Sequence, residues 1–398
     1  MKIVICGSFG AKNLGDEMIL EGLLTSLRSV QPQSEITVLS GNPKETLERY
    51  GEKFGIKVGK KFAAGIKSFA LSAIERFKPS GVATSKIIKE CDWFILGGGG
   101  LFGSLTFRAN LIWAVQALMA YRLKKPVVMY GQSISPIKWK IIRWLVKKIF
   151  QKAELIAVRD EDSKEQLKKL GVTKKIYLVP DLALRTTSPS PISHITPTII
   201  VALRQMPGLS QHFKHYIAEF LDWLTTKHNY QIKFVNFQEG KEGDGKLHQE
   251  IEAMMKTKTE SPRELSEAPE FTTPAATTPM INDLLHKFSH ADLVLGMRLH
   301  SIISAIKTKT PFIAISYSPK VRNFLETAGH AYRQAGLQKY MINHESLDFE
   351  KLKSLFEKVV KDRMDIKKEL EEFNARALKD CLKFEEEVLR KILKFAKI

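Results

Sequence analysis

Six short stretches of this sequence hold residue types that could do chemistry. Gly296-Met297-Arg298-Leu299-His300-Ser301 joins a guanidinium to the one obvious side chain that titrates near neutrality. It leads straight into an apolar run, Ile302 to Ile306. Val201-Ala202-Leu203-Arg204-Gln205 and Ala157-Val158-Arg159-Asp160 each end an apolar run on an arginine, and Ser316-Tyr317-Ser318-Pro319-Lys320 sets a lysine after another. Arginine grips carboxylate or phosphate through two parallel hydrogen bonds, and lysine adds a compact charge. Arg159, Arg204, Arg298 and Lys320 together suit a small, highly anionic donor, with His300 placed to move a proton. For Arg159 the alternative is an ion pair with acidic neighbours, and Asp160 or Asp162 could cap a helix.

Two glycine-rich stretches complete the set. Gly7-Ser8-Phe9-Gly10-Ala11-Lys12-Asn13-Leu14-Gly15-Asp16-Glu17 lacks the spacing of a dinucleotide fingerprint. Gly10, Asn13, Gly15 and Asp16 are candidates for contact with an acceptor or a phosphate; the plainer alternative is a strand-to-helix turn capped by Asp16. Leu96-Gly97-Gly98-Gly99-Gly100-Leu101 reads as a strand ending in a glycine turn, which makes Gly98, Gly99 and Gly100 similar candidates. No metal-ligand cluster, nucleophile motif or Walker loop stands out, so no metal and no cofactor is expected.

The scaffold that must position these residues is legible in the apolar runs. Strands are expected at residues 2–7, 36–40, 93–96, 126–131, 155–158 and 176–179, with helical patterns between most of them. Such alternation predicts a parallel, doubly wound α/β domain over residues 1–188. A Ser/Thr/Pro-rich linker follows. The pattern restarts with strands at 198–203, 231–236, 293–296 and 312–315, giving a second Rossmann-like domain over 196–345. Amphipathic helices are expected over 346–398, on apolar positions that include Leu352, Phe356, Val359, Phe384, Val388, Leu389 and Ile392. Residues 239–279 are polar and rich in Thr and Pro, and read as a long surface loop with one helical piece near 248–256. Ligands of such a chain are expected in the cleft between domains, at the carboxyl ends of the strands.

The chain has 398 residues, 44% hydrophobic and 26% charged, which excludes a disordered or fibrous protein. Its net charge of +19 predicts an anionic partner without saying which. No run is long and apolar enough for a membrane span, no secretory h-region is seen, and three scattered cysteines make no disulfide framework. A cytoplasmic protein is expected, with Cys6 and Cys91 as small buried hydrophobes.

Taken together, Asn13-Leu14-Gly15-Asp16-Glu17, the glycine run, Val158-Arg159-Asp160, Gly296-Met297-Arg298-Leu299-His300 and Ser318-Pro319-Lys320 resemble the polysaccharide pyruvyl transferase family, over residues 1 to about 325. The resemblance implies two Rossmann-like domains in a GT-B-type arrangement, acceptor side first and donor side second. It implies transfer of the pyruvyl group of phosphoenolpyruvate to a sugar, usually as a cyclic ketal. It also implies His300 as catalytic acid and Arg159 and Lys320 as donor-binding residues; Arg204 and Arg298 are similar in position to further donor-binding arginines. Residues 239–279 depart from the family pattern, and no functional residue is carried over there.

Two basic stretches, 57–89 and 138–152, mix lysine with large apolar residues. They read either as helices packing on the sheet with solvated lysines or as a face for an anionic membrane, which would bring a lipid-linked sugar acceptor within reach at its inner side. Two other functions compete: a nucleotide-sugar glycosyltransferase of the same architecture, and a non-catalytic basic protein binding anions or nucleic acid. Against the first, Glu326 is the lone acid between Ser301 and Gly329. Against the second, the arginines sit at strand ends rather than among exposed aromatics, so no nucleic-acid partner is expected.

Overall fold

A computed structural model describes all residues except 62–78, 104–105, 188, 190–195, 241–242, 258–280, 319, 326–335 and 395–398. The chain divides into two compact units. The first holds Met1–Ala11, Asp16–Thr186 and Ala377–Ile398; the second holds Lys12–Gly15 and Thr187–Arg376. Each contains one all-parallel sheet.

In the first unit seven strands run in the order β3-β2-β1-β4-β5-β6-β7. They are β1 (Lys2–Cys6), β2 (Glu35–Ser40), β3 (Ile56–Lys60), β4 (Trp93–Phe102), β5 (Val127–Ile134), β6 (Leu155–Val158) and β7 (Ile176–Leu178). The order reverses between β1 and β4, the switch point at which doubly wound sheets bind ligands. β1, β4, β5 and β6 are almost wholly buried and apolar, as strands covered on both faces must be. Cys6, Cys91 and Cys381 are free thiols in the interior.

The second unit orders five strands β12-β11-β10-β8-β9. These are β8 (Thr198–Ala202), β9 (Gln231–Phe234), β10 (Leu293–Gly296), β11 (Phe312–Ser316) and β12 (Met341–Asn343). Its switch point lies between β8 and β10, which pair in parallel from Leu293 with Ile199 to Gly296 with Ala202.

Several expectations need correction. β3 and β12 were not anticipated. Both are short edge strands, and one outer face free of pairing lets a sequence such as Ile-Lys-Val-Gly-Lys serve where an interior strand needs continuous apolar residues. Lys57 to Lys60 of the first basic stretch thus lie in a strand; residues 62–78 of that stretch are outside the described residues, and its end forms the helix Pro79–Glu90. The glycine run is no turn after the strand but part of β4, where Gly98 and Gly99 take φ of +71° and +75° and the pairing with β5 shifts register. A Cβ on Gly98 would fall 2.1 Å from Ile19, so these glycines let the first helix, Leu14–Val30, lie against the strand. That helix starts at Leu14, and Asp16 stands in its first turn rather than as its cap.

The C-terminal helices occur at Phe349–Lys361, Arg363–Phe384 and Arg390–Lys394. A five-residue π turn, Glu385–Leu389, advances the register, so that Leu393 rather than Ile392 is buried and Glu385 faces inward. There its carboxylate accepts from Arg185 at 2.8 and 2.9 Å, from Ser26 at 2.5 Å and from Ser29 at 2.7 Å, anchoring the chain end on the first unit.

Candidate functional site

The site is built at the carboxyl edge of the second sheet. Four successive strand ends meet there, and one carboxylate ties three of them. Asp244 has no exposed surface. Its Oδ2 accepts from the N–H groups of Phe237 and Gln238 beyond β9, both at 3.0 Å. Its Oδ1 accepts from the N–H of Gln205 beyond β8 at 3.3 Å, and from Arg298 beyond β10 at 2.5 Å. A buried carboxylate is tolerable only with this degree of hydrogen bonding and a counter-charge. His248, four residues on in the helix Gly245–Met254, adds a second tie. The N–H of Leu203 donates to its Nε2 at 3.1 Å, which leaves the proton on Nδ1 for Asn236 Oδ1 at 2.7 Å. Burial lowers the His248 pKa to about 4, so the ring is neutral at physiological pH.

Onto this frame the chain places its candidate residues. Arg298 precedes the helix Leu299–Thr308, which no side chain caps, and His300 lies half-buried in its first turn. Arg204, beyond β8, donates to the Tyr317 hydroxyl and stacks 4.8 Å from that ring, beyond β11. Lys320 opens the helical turn that follows. Among the described residues, the buried polar atoms with no hydrogen-bond partner include Gln205 Oε1, Arg298 Nε and Ser318 Oγ, which lie beyond β8, β10 and β11.

The tip of the first glycine motif belongs to this site. Leu14 N–H donates to Phe237 O at 2.9 Å, Glu239 N–H to Lys12 O at 3.2 Å, and Asn13 Nδ2 to Gln238 Oε1 at 2.9 Å. Asn13 Oδ1 accepts from Gly15 N–H at 2.9 Å and so does the capping expected of Asp16. Gly15 lies against the His300 ring, where a Cβ would fall 2.1 Å from Nδ1.

The remaining candidates sit in the first unit. Arg159 follows β6, but its guanidinium is buried and donates to Asp181 at 2.5 Å with Asp160 at 3.9 Å, while Asp160 caps the next helix through Ser163 N–H. The paired alternative is therefore the one realised there. Asp16 Oδ1 stands 3.1 Å from where a Gly99 Cβ would be, Gly10 N–H donates to Glu17 Oε1 at 2.8 Å, and Gly100 is half-buried. Lys61, seen in the sequence only as part of a basic stretch, reaches over this edge; its Nζ donates to Gly7 O at 3.2 Å and lies 4.9 Å from the Trp113 ring, and burial lowers its pKa.

Asp244 and His248 were also missed, because residues 239–279 read as a surface loop. The helical piece expected near 248–256 occurs as Gly245–Met254, and the correction is that Asp244, just before it, is buried rather than on a surface loop; residues 241–242 and 258–280 are outside the described residues. The available signal was Asp-Gly just before Leu247 and Ile251, apolar residues at helix spacing.

This architecture recurs in solved structures. A glycosyltransferase from Rickettsia africae matches with a TM-score of 0.56 and 12% identity over 99% of both chains. MnaA of S. aureus, solved with UDP, matches with a TM-score of 0.55 and 10% identity over 96% of both. These likenesses define the fold class, the GT-B-like class with two Rossmann-type α/β units. Within it, the polysaccharide pyruvyl transferase model matches residues 13–319, and the chain belongs to that family. The amylovoran biosynthesis protein AmsJ of Erwinia amylovora is 28% identical over 200 residues, which cover 44% of this chain and 46% of AmsJ. The match thus spans about half the length of that curated relative.

Two outcomes follow from this geometry. Asp244→Asn leaves Arg298 buried without its counter-charge, and thermal or denaturant unfolding should show a loss of ~3–5 kcal/mol. Gly15→Ala should leave the fold intact by circular dichroism yet displace His300, lowering turnover about 100-fold.

Proposed function

We propose that the protein transfers the pyruvyl group of phosphoenolpyruvate onto two hydroxyls of a sugar in a polysaccharide or cell-envelope precursor, releasing phosphate. The observation that carries this reading is the position of Arg204 and Arg298 beyond β8 and β10, the two strands that flank the switch point of the second sheet, with His300 in the first turn of the helix that follows Arg298. Family membership supports it. Phosphoenolpyruvate is small and carries a carboxylate and a phosphate on one enol carbon, which asks for several cations in a small space.

In this reading Arg204, Arg298 and Lys320 hold the two anions. His300, as imidazolium, gives its proton to the methylene carbon, which becomes a methyl group while the neighbouring carbon turns oxocarbenium-like. A sugar hydroxyl bonds to that carbon, and its proton returns to the imidazole. A second hydroxyl then displaces phosphate as the carbon–oxygen bond breaks, and its proton leaves with the phosphate. Donor and diol become ketal and inorganic phosphate with no change of oxidation state, so no further cofactor is called for. Arg159, closed on Asp181, is given no donor contact here.

The setting proposed is the cytoplasm, with a sugar acceptor on a lipid carrier; among the described residues no helix is long and apolar enough to cross a membrane. Incubation with phosphoenolpyruvate and candidate amino-sugar glycolipids should release phosphate in step with a new ketal methyl signal by NMR. His300→Ala should lower kcat by ~10²–10⁴-fold while calorimetry shows donor binding largely kept. Unchanged turnover in that variant, or turnover of a nucleotide sugar instead, would overturn the reading.

A further inference from the structure

The helix Lys140–Lys152 has more apolar surface than its packing uses. Ile142, Leu145, Val146, Ile149 and Phe150 form its inner stripe and are buried in the core of the first unit. That stripe alone accounts for an amphipathic helix on a sheet. Yet the outer face carries two more large apolar side chains one turn apart, Ile141 at 57% and Trp144 at 51% exposure. Single exposed apolar residues need no explanation, but this pair is framed by Lys140, Arg143, Lys147 and Lys148, all exposed. Lys148 Nζ sits 4.1 Å from the Trp144 ring centroid.

Charge gives the face its direction. Residues 137–152 contain no acidic side chain, and Lys138 and Lys152 extend the basic strip at either end. Like charges one turn apart repel, and an anionic partner relieves that repulsion. A merely solvated face would mix both signs. Indole and isoleucine at the centre of a wholly cationic face match the boundary of a bilayer with anionic headgroups, where the apolar groups enter the acyl edge and the lysines and arginine stay among the phosphates.

We propose that the outer face of the helix Lys140–Lys152 docks the protein on an anionic lipid bilayer, through Ile141 and Trp144 with the surrounding lysines and arginine. The docking is separate from the transfer chemistry, and none of these residues lies in the candidate site.

The test is co-sedimentation of the full chain with vesicles of phosphatidylcholine alone, or with one third phosphatidylglycerol, alongside the variants Ile141→Ser/Trp144→Ser and Lys140→Glu/Arg143→Glu. Thermal unfolding checks that each variant keeps the fold. The intact chain should bind only the anionic vesicles, and each double variant should weaken that binding about tenfold or more. Absence of binding to the anionic vesicles would overturn the proposal. So would undiminished binding by Ile141→Ser/Trp144→Ser, which would reduce the face to plain attraction for polyanions. Stronger capture of the chain by single-stranded RNA than by the vesicles would overturn it as well.

Discussion

One buried carboxylate holds the candidate site in shape. Without Asp244 the backbone N–H groups of Gln205, Phe237 and Gln238 would lose their acceptor, and Arg298 would lose its counter-ion. Those groups stand at the ends of three strands, so Asp244 fixes how far apart the loops beyond β8, β9 and β10 can lie. Through Gln238 the constraint reaches Asn13, and through Asn13 it reaches Gly15 and the His300 ring. A low-dielectric surrounding strengthens each of these bonds and also makes the loss of any one costly, which is how a loop-built site gains the rigidity of a core.

The charge on the chain divides along the same lines. Two cations, Arg204 and Arg298, are held beyond strand ends by polar partners, Tyr317 and Asp244. Arg159 and Arg185 are consumed by buried carboxylates, Asp181 and Glu385, and serve the fold of the first unit. Most of the remaining excess lies on the surface, and on the helix Lys140–Lys152 it surrounds exposed apolar groups. A net charge of +19 is thus a sum over cations with different tasks.

Much of this was legible in the sequence, and the misses have physical causes. Buried parallel strands announce themselves as β-branched runs, and residues after them fall at the carboxyl edge of the sheet by topology alone; hence the positions of Arg204, Arg298, His300 and Lys320 after β8, β10 and β11 were legible. The edge strands β3 and β12 escaped because one-sided pairing relaxes the apolar pattern. The glycine run was assigned to a turn because glycine weakens strands, whereas here it makes room for the first helix. Asp244 escaped because two of its partners, Gln205 and Arg298, lie 39 and 54 residues away in sequence, and no local pattern reports such partners. Arg159 shows the converse: position at a strand end is visible in sequence, but a partner 22 residues on is not.

The central claim is that His300 delivers a solvent-derived proton to the methylene carbon of phosphoenolpyruvate. Carrying out the reaction in heavy water and reading the ketal methyl group by mass spectrometry and NMR tests it most directly. The account predicts one deuterium in each product methyl group, with His300→Ala forming the same singly labelled product ~10²–10⁴-fold more slowly. Labelled ketal formed at an undiminished rate by His300→Ala, or no pyruvyl ketal at all, would contradict it.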